Sequence, residues 1–237
     1  METSAQQRCA RAIGAFLMIA IAAAIIATSA AAAPTPGSVV EGPAAVVDGD
    51  TIEIAGQRIR LDAIDAPEAN QSCGGAHGEL VACGQAATRA LRDLIGQESL
   101  ACESVGTDKY GRMLGLCFLD GEDINRFMVE SGNAWAYLKY STKYVSAEAD
   151  ARASKIGIWQ GETQPAWKYR KAQWQVAEVA APAGCAIKGN MSKQGRIYHV
   201  PWSAWYDKVK IDEARGERWF CSEDEALQAG WRPAAPQ

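Results

Sequence analysis

Residues 46–68 read VVDGDTIEIAGQRIRLDAIDAPE, and their pattern limits the folds open to the chain. After the turn signal Asp48-Gly49-Asp50, Thr51, Ile52, Glu53 and Ile54 alternate polar and apolar with period two. The chain reverses at Ala55-Gly56-Gln57, and Arg58, Ile59, Arg60 and Leu61 alternate again. Two short period-two runs around a Gly-containing reversal predict two half-buried strands joined by a short loop. On the second strand Arg58 and Arg60 share one face, with Ile59 and Leu61 on the other.

Charged residues gather where these strands end. Asp50 opens the first strand, and Asp65 and Glu68 follow the second in Ile64-Asp65-Ala66-Pro67-Glu68. Pro67 fixes its own φ and drives Ala66 toward extended geometry, so the turn is stiff. Carboxylates with a backbone carbonyl and waters suit Ca²⁺, a hard cation that takes oxygen ligands. A guanidinium nearby suits a phosphate, which it grips with two parallel hydrogen bonds. The same residues also read as solvated turn acids beside a surface arginine.

A second polar loop, Thr107-Asp108-Lys109-Tyr110-Gly111-Arg112, separates two apolar runs and puts another arginine at a sheet edge. Together DGDT, R-x-x-x-x-D-x-P-E and DKYGR resemble the staphylococcal nuclease (thermonuclease) family over roughly residues 40–161. The resemblance implies an α+β fold, a five-stranded OB-type β-barrel with about three helices. It also implies Ca²⁺-dependent hydrolysis of DNA or RNA phosphodiesters to a 3′-phosphate and a free 5′-hydroxyl. Matched by position, Asp50 and Asp65 are its metal carboxylates. Ala66 stands where the family has a threonine that ligates through its carbonyl, a group alanine also offers. Glu68 matches the residue that positions or deprotonates water, with Asp48 a supporting acid. Arg60 and Arg112 match the phosphate-clamping arginines. Lys109 and Tyr110 match residues near a terminal phosphate of the nucleotide. Tyr137 matches one nucleotide-packing tyrosine, while Lys139 replaces the other, so that match is partial.

The N-terminus reads as an export signal. Arg8 and Arg11 precede an apolar run from Ala12 that ends in small residues before Pro34, which predicts a signal peptide over residues 1–33. The run is long enough to span a bilayer as an uncleaved anchor. A cleaved chain is expected in the periplasm or medium as a monomer without stable membrane association. Export puts six of the seven cysteines, all but Cys9, in an oxidising compartment. Cys73 and Cys83 bracket a Gly-rich loop, Cys102 and Cys117 flank the DKYGR loop on adjacent strands, and Cys185 and Cys221 remain. Six cysteines allow fifteen connectivities, and this local pairing is the expectation.

The formal charge is −4, and losing two arginines and one glutamate with the leader makes it −5. An acidic chain binds long nucleic acid weakly unless its basic groups cluster at a cleft. Helices are predicted over 84–94, 123–131 and 145–154, with Ile124, Phe127 and Met128 in the core. His77 reads as a solvated loop residue. Residues 162–183 read as a linker with a possible short helix, more apt to pack on the barrel than to hold nucleic acid. Residues 184–237 form a small C-terminal module, which resembles a short unit of exported bacterial nuclease-like proteins. Cys185, His199 and Cys221 lack the close ligand pairs of a structural zinc site, and a Cys185–Cys221 staple suits so small a core. Tyr198, Trp202, Trp205 and Tyr206 look exposed there. Two functions follow: an exported nuclease acting on nucleic acid with little sequence preference, or a non-catalytic nuclease-like binding module of the cell envelope.

Overall fold

The computed structural model describes residues 34–139 and 141–234. The signal-peptide expectation for residues 1–33, with Cys9, lies outside the described residues.

The predicted hairpin is present. Strand β1 (Val39–Val46) pairs antiparallel with β2 (Thr51–Ile54), and β2 with β3 (Gln57–Leu61). Ala55 and Gly56 connect β2 to β3 with φ of 49° and 80°. Positive φ at both loop residues matches the twist of the flanking strands, which is why Gly occupies the second position. Strand β4 (Ser99–Thr107) lies beside β1, and β5 (Met113–Leu119) beside β4. A parallel pairing of β3 with β5, Ile59 opposite Met113, closes five strands into a barrel.

The barrel interior follows from the alternation. Ile52, Ile54, Ile59, Leu61, Leu100 and Met113 are fully or almost fully buried. Each such aliphatic side chain contributes about 1.5–3 kcal/mol by leaving water. Three helices close the barrel: α1 (Cys83–Ile95) adds Leu91 and Ile95, α2 (Ile124–Glu130) adds Met128 and Val129, and α3 (Val145–Ala153) adds Ala147. Asp123 caps α2, its Oδ1 accepting from the Arg126 amide at 2.9 Å. Phe127 departs from expectation: it is 40% exposed, because the face of α2 toward the barrel is taken by Ile124, Met128 and Val129.

The stretch expected as a linker contains a 15-residue helix, α4 (Ala166–Ala180). Its first turn packs Ala166 and Trp167 with Trp135, Ile158 and the Cys73–Cys83 bridge. Further on, Trp174 joins the core of the C-terminal module with Ile187, Tyr198, Phe220 and Trp231. That module is a sheet of β6 (Ile187–Ser192), β7 (Gly195–His199), β8 (Arg218–Phe220) and β9 (Arg232–Pro233), with helix α5 (Glu223–Gln228). Tyr198 and Tyr206 are not exposed as expected. Tyr198 is core, and the Tyr206 hydroxyl donates to the Ala186 carbonyl at 2.6 Å. The small sheet has too few aliphatics to fill its interior, so aromatic rings do it.

All three expected disulfides form: Cys73–Cys83, Cys102–Cys117 and Cys185–Cys221. Cys102 and Cys117 are directly opposed on β4 and β5. Among the described residues no helix is long and apolar enough to cross a membrane.

Candidate active site

At the mouth of the β2–β3 hairpin the chain concentrates its acids. Asp50 precedes β2, and its backbone carbonyl accepts from the Leu61 amide at 2.8 Å, fixing it against the end of β3. Its Oδ2 accepts from the Ala66 amide at 3.1 Å, and its Oδ1 from the Thr51 hydroxyl at 3.1 Å. Asp65 lies in a two-residue strand, Ile64–Asp65, opposite Trp135, and is fully buried. Glu68 follows in the turn made by Pro67. The Gln71 amide donates to the Glu68 carbonyl at 2.7 Å, and the buried Gln71 side chain donates to the Gln164 carbonyl at 2.6 Å.

Two guanidinium groups tie these acids together. Arg60 on β3 donates from Nη1 to Asp50 Oδ1 at 2.9 Å and from Nη2 to Asp65 Oδ1 at 2.8 Å. Arg170, on α4, grips both oxygens of Asp65: Nη1 to Oδ1 at 3.1 Å and Nη2 to Oδ2 at 2.9 Å. The same Arg170 Nη1 donates to Glu68 Oε1 at 2.6 Å. Planar two-pronged donors are the strong partners of buried carboxylates.

Burial and charge set the protonation of the acids. Burial raises Asp50, but Arg60, the Ala66 amide, Arg112 and Arg170 together outweigh it and hold that carboxyl below its usual range. Burial pushes Asp48 up to about 7, aided by the negative charge of Asp50. Burial also pushes Glu68 up to about 7, against the pull of Arg170. One ionised acid beside one poised near neutrality is a usable division of labour for proton transfer.

The loop residues are placed differently. Asp108 organises the β4–β5 loop: its Oδ1 accepts from the Tyr110 and Arg112 amides, each at 2.9 Å, and its Oδ2 from Arg112 Nε at 2.7 Å. Tyr110 donates its hydroxyl to Glu223 of α5, and Tyr198 donates to the same carboxylate at 3.1 Å. Lys109 Nζ lies 3.9 Å from Asp224. Two of the expected nucleotide-binding residues therefore face acids of the C-terminal module. Tyr137 lines a cavity of about 630 Å³ with Trp135, Trp159 and Trp167, its ring 5.7 Å from that of Trp167. His77 is exposed, and His199 Nε2 lies 3.0 Å from Asn190 Oδ1, an acceptor, within the module.

Among the described residues no group of three or more His, Cys, Asp or Glu side chains stands in a metal-ligating arrangement. The donor chemistry nonetheless fits a hard divalent cation. Asp50 and Asp65 are buried carboxylates, and the Asp50 carboxylate accepts from the Ala66 amide, so two hard oxygen donors and a backbone carbonyl lie together.

Arg170 is the residue that the sequence reading missed. Its signal was there: Trp167 and Arg170 are three apart in a basic-aromatic run, the spacing that puts two side chains on one helix face.

Residues 58–161 match the family described as staphylococcal nuclease homologue, and residues 170–233 match a family described as ArfC. The chain is 40% identical over 119 residues to the succinoglycan biosynthesis protein ExoI of Rhizobium meliloti, covering 48% of this chain and 61% of that protein. It is 36% identical to an uncharacterized endonuclease of Haemophilus influenzae, over 43% of this chain and 53% of the other. A micrococcal nuclease of Shigella flexneri is 32% identical, over 48% of this chain and 68% of its own length. The chain thus spans little more than half the length of the first two relatives.

Proposed function

Because the chain belongs to the staphylococcal nuclease family, we propose that it is an exported, calcium-dependent nuclease that hydrolyses phosphodiesters of DNA or RNA with little sequence preference. The observation that carries this reading is the meeting of Asp50, Asp65 and Glu68 around two guanidinium groups, Arg60 holding Asp50 and Asp65, and Arg170 holding Asp65 and Glu68. Three disulfides support export to an oxidising compartment.

Asp50, Asp65 and the Ala66 carbonyl are the groups that would hold Ca²⁺, which supplies Lewis-acid charge beside the scissile phosphate. Glu68 takes the proton of the attacking water. A carboxyl held near pH 7 by burial accepts a proton more readily than an ordinary surface glutamate. Arg60 donates to phosphoryl oxygens as negative charge builds on them, and Arg112 reaches the same charge from the β4–β5 loop. Tyr137 offers a ring face to a base, and stacking on it needs no particular base. Lys109 and Tyr110 bind a terminal phosphate once it replaces the acids of α5.

The test is cleavage of single-stranded DNA by the purified protein, first with Ca²⁺ and then with chelator, alongside Glu68→Gln. Calcium-dependent cleavage leaving 3′-phosphate ends, with Glu68→Gln slower by orders of magnitude, is the expected result. Folded, oxidised protein that binds DNA without cutting it would leave the envelope binding module as the better reading.

A further inference from the structure

Arg170 lies outside the residues that match the nuclease family, yet it makes the most complete set of contacts in the acid cluster. Both oxygens of Asp65 are taken by guanidinium nitrogens: Oδ1 by Arg60 and Arg170, Oδ2 by Arg170 alone. Glu68 Oε1 is taken by Arg170 as well. A divalent cation binding Asp65 needs an oxygen at about 2.3–2.6 Å, closer than the guanidinium nitrogens on Asp65, which sit at 2.8, 3.1 and 2.9 Å. A cation and a guanidinium on one carboxylate repel each other and compete for its lone pairs, and Arg170, which covers Asp65 Oδ2 and bridges to Glu68, is the competing group.

The backbone that delivers Arg170 is anchored. Ala166 is fully buried, the Trp167 ring packs 6.0 Å from that of Trp135, and the Gln164 carbonyl accepts from Gln71. Asp65 is equally fixed by its strand pairing with Trp135. The side chain of Arg170 is the part with freedom to change. It is 22% exposed at the solvent side of a long flexible stem, whereas the Asp65 side chain it holds is fully buried.

We propose that Arg170 is a built-in rival of the cation: it holds Asp65 and Glu68 in position and yields their oxygens when Ca²⁺ binds. This makes Arg170 a positioning residue for the site, and it sets how much calcium the protein needs. The inference rests on the calcium reading above.

The experiment is calorimetric titration of the full chain with Ca²⁺, comparing wild type with Arg170→Gln and Arg170→Lys after thermal melts have established that each is folded. Arg170→Gln keeps a hydrogen-bond donor and removes the charge, so its Ca²⁺ affinity should rise about tenfold or more. Arg170→Lys keeps the charge and loses the two-pronged grip, so it should fall between the two. In parallel, the Arg170 Nη–H resonances of wild type should be protected before Ca²⁺ and exchange rapidly with water after it. That arm stands even if the variants fail to fold.

Equal or weaker Ca²⁺ binding by folded Arg170→Gln overturns the rivalry while leaving the calcium site intact. Unchanged Ca²⁺ affinity with a raised KM for DNA makes Arg170 a phosphate contact instead, and also overturns it. Wild-type Nη–H groups that stay protected in saturating Ca²⁺ do the same. An absence of Ca²⁺ binding in wild type and both variants removes this proposal and the calcium reading together.

Discussion

Gly84, in the first turn of α1, faces the backbone carbonyl of Glu68 so closely that a Cβ placed on it would lie 1.8 Å from that oxygen. The helix start and the loop bearing Glu68 are pressed together, and only hydrogen fits between them. Gly84→Ala therefore has to push the Glu68 backbone outward. We expect a loss of about 1–3 kcal/mol in stability from overpacking. A displacement near 1 Å at Glu68 should also cost roughly 10²-fold in turnover. Denaturant melts and steady-state rates on single-stranded DNA separate the two effects.

Arg60→Ala should harm both folding and chemistry. It leaves Asp50 with only the Thr51 hydroxyl and the Ala66 amide, while Asp65 keeps Arg170. Removing one member of a buried ion pair costs about 3–5 kcal/mol, and the surviving Arg170 contact puts the expected loss at the lower end. Loss of a donor to the developing phosphate charge should lower kcat by roughly 10²–10³-fold. A melt that matches wild type would show that Arg60 is not structurally coupled to the acids.

Replacing Cys102 and Cys117 together by alanine opens a bridge spanning 15 residues of sequence. In the chain-entropy account a loop of that size contributes about 3 kcal/mol. For a protein of this length the Tm should drop by roughly 6–12 °C. The bridge lies within the β4–β5 wall, so turnover below the new Tm should stay near wild type. Differential scanning calorimetry and an activity assay at 20–25 °C, taken as roughly room temperature, check both statements.

His199 predicts a pH dependence of the C-terminal module. Its Nε2 is 3.0 Å from Asn190 Oδ1, and its buried Nδ1 has no hydrogen-bond partner among the described residues. Burial, and then the charge of Lys188, hold its pKa below the usual 6.5. The folded protein therefore keeps this ring neutral while the unfolded chain protonates it. The stability it confers is present above pH 6.5 and is lost as pH falls toward the lower folded value. Wild type should lose Tm between pH 7 and 5.5, values taken as roughly bracketing that titration, and His199→Gln should lose less.

The hairpin was legible because its information is local. Period-two alternation places Ile52, Ile54, Ile59 and Leu61 inside, and Ala55-Gly56 makes the reversal between neighbours in sequence. The acids at the strand ends followed from that register, two of the disulfides joined cysteines placed on adjacent strands or around one loop, and Cys185 and Cys221 were left to pair with each other. The spacing put Arg170 on the helix face of Trp167, but its pairing with Asp65 was not legible, because the two are 105 residues apart and no periodicity reports so distant a charge pair. The same holds for Tyr110 against Glu223, 113 residues apart, and for the burial of Tyr198. Phe127 was misplaced for a narrower reason: helical spacing identifies an apolar stripe without fixing which edge of it meets the barrel.

Helix α4 is held at one end by the tryptophans beside the barrel and at the other by the core of the small module. It behaves as a keyed shaft rather than a tether. Adding one residue near its start would turn everything beyond by about 100°. Arg170 would then swing off the acids, or Trp174 off the module. The spacing between the two blocks is thus a measured length, and lineages that vary it must re-cut the fit at both ends.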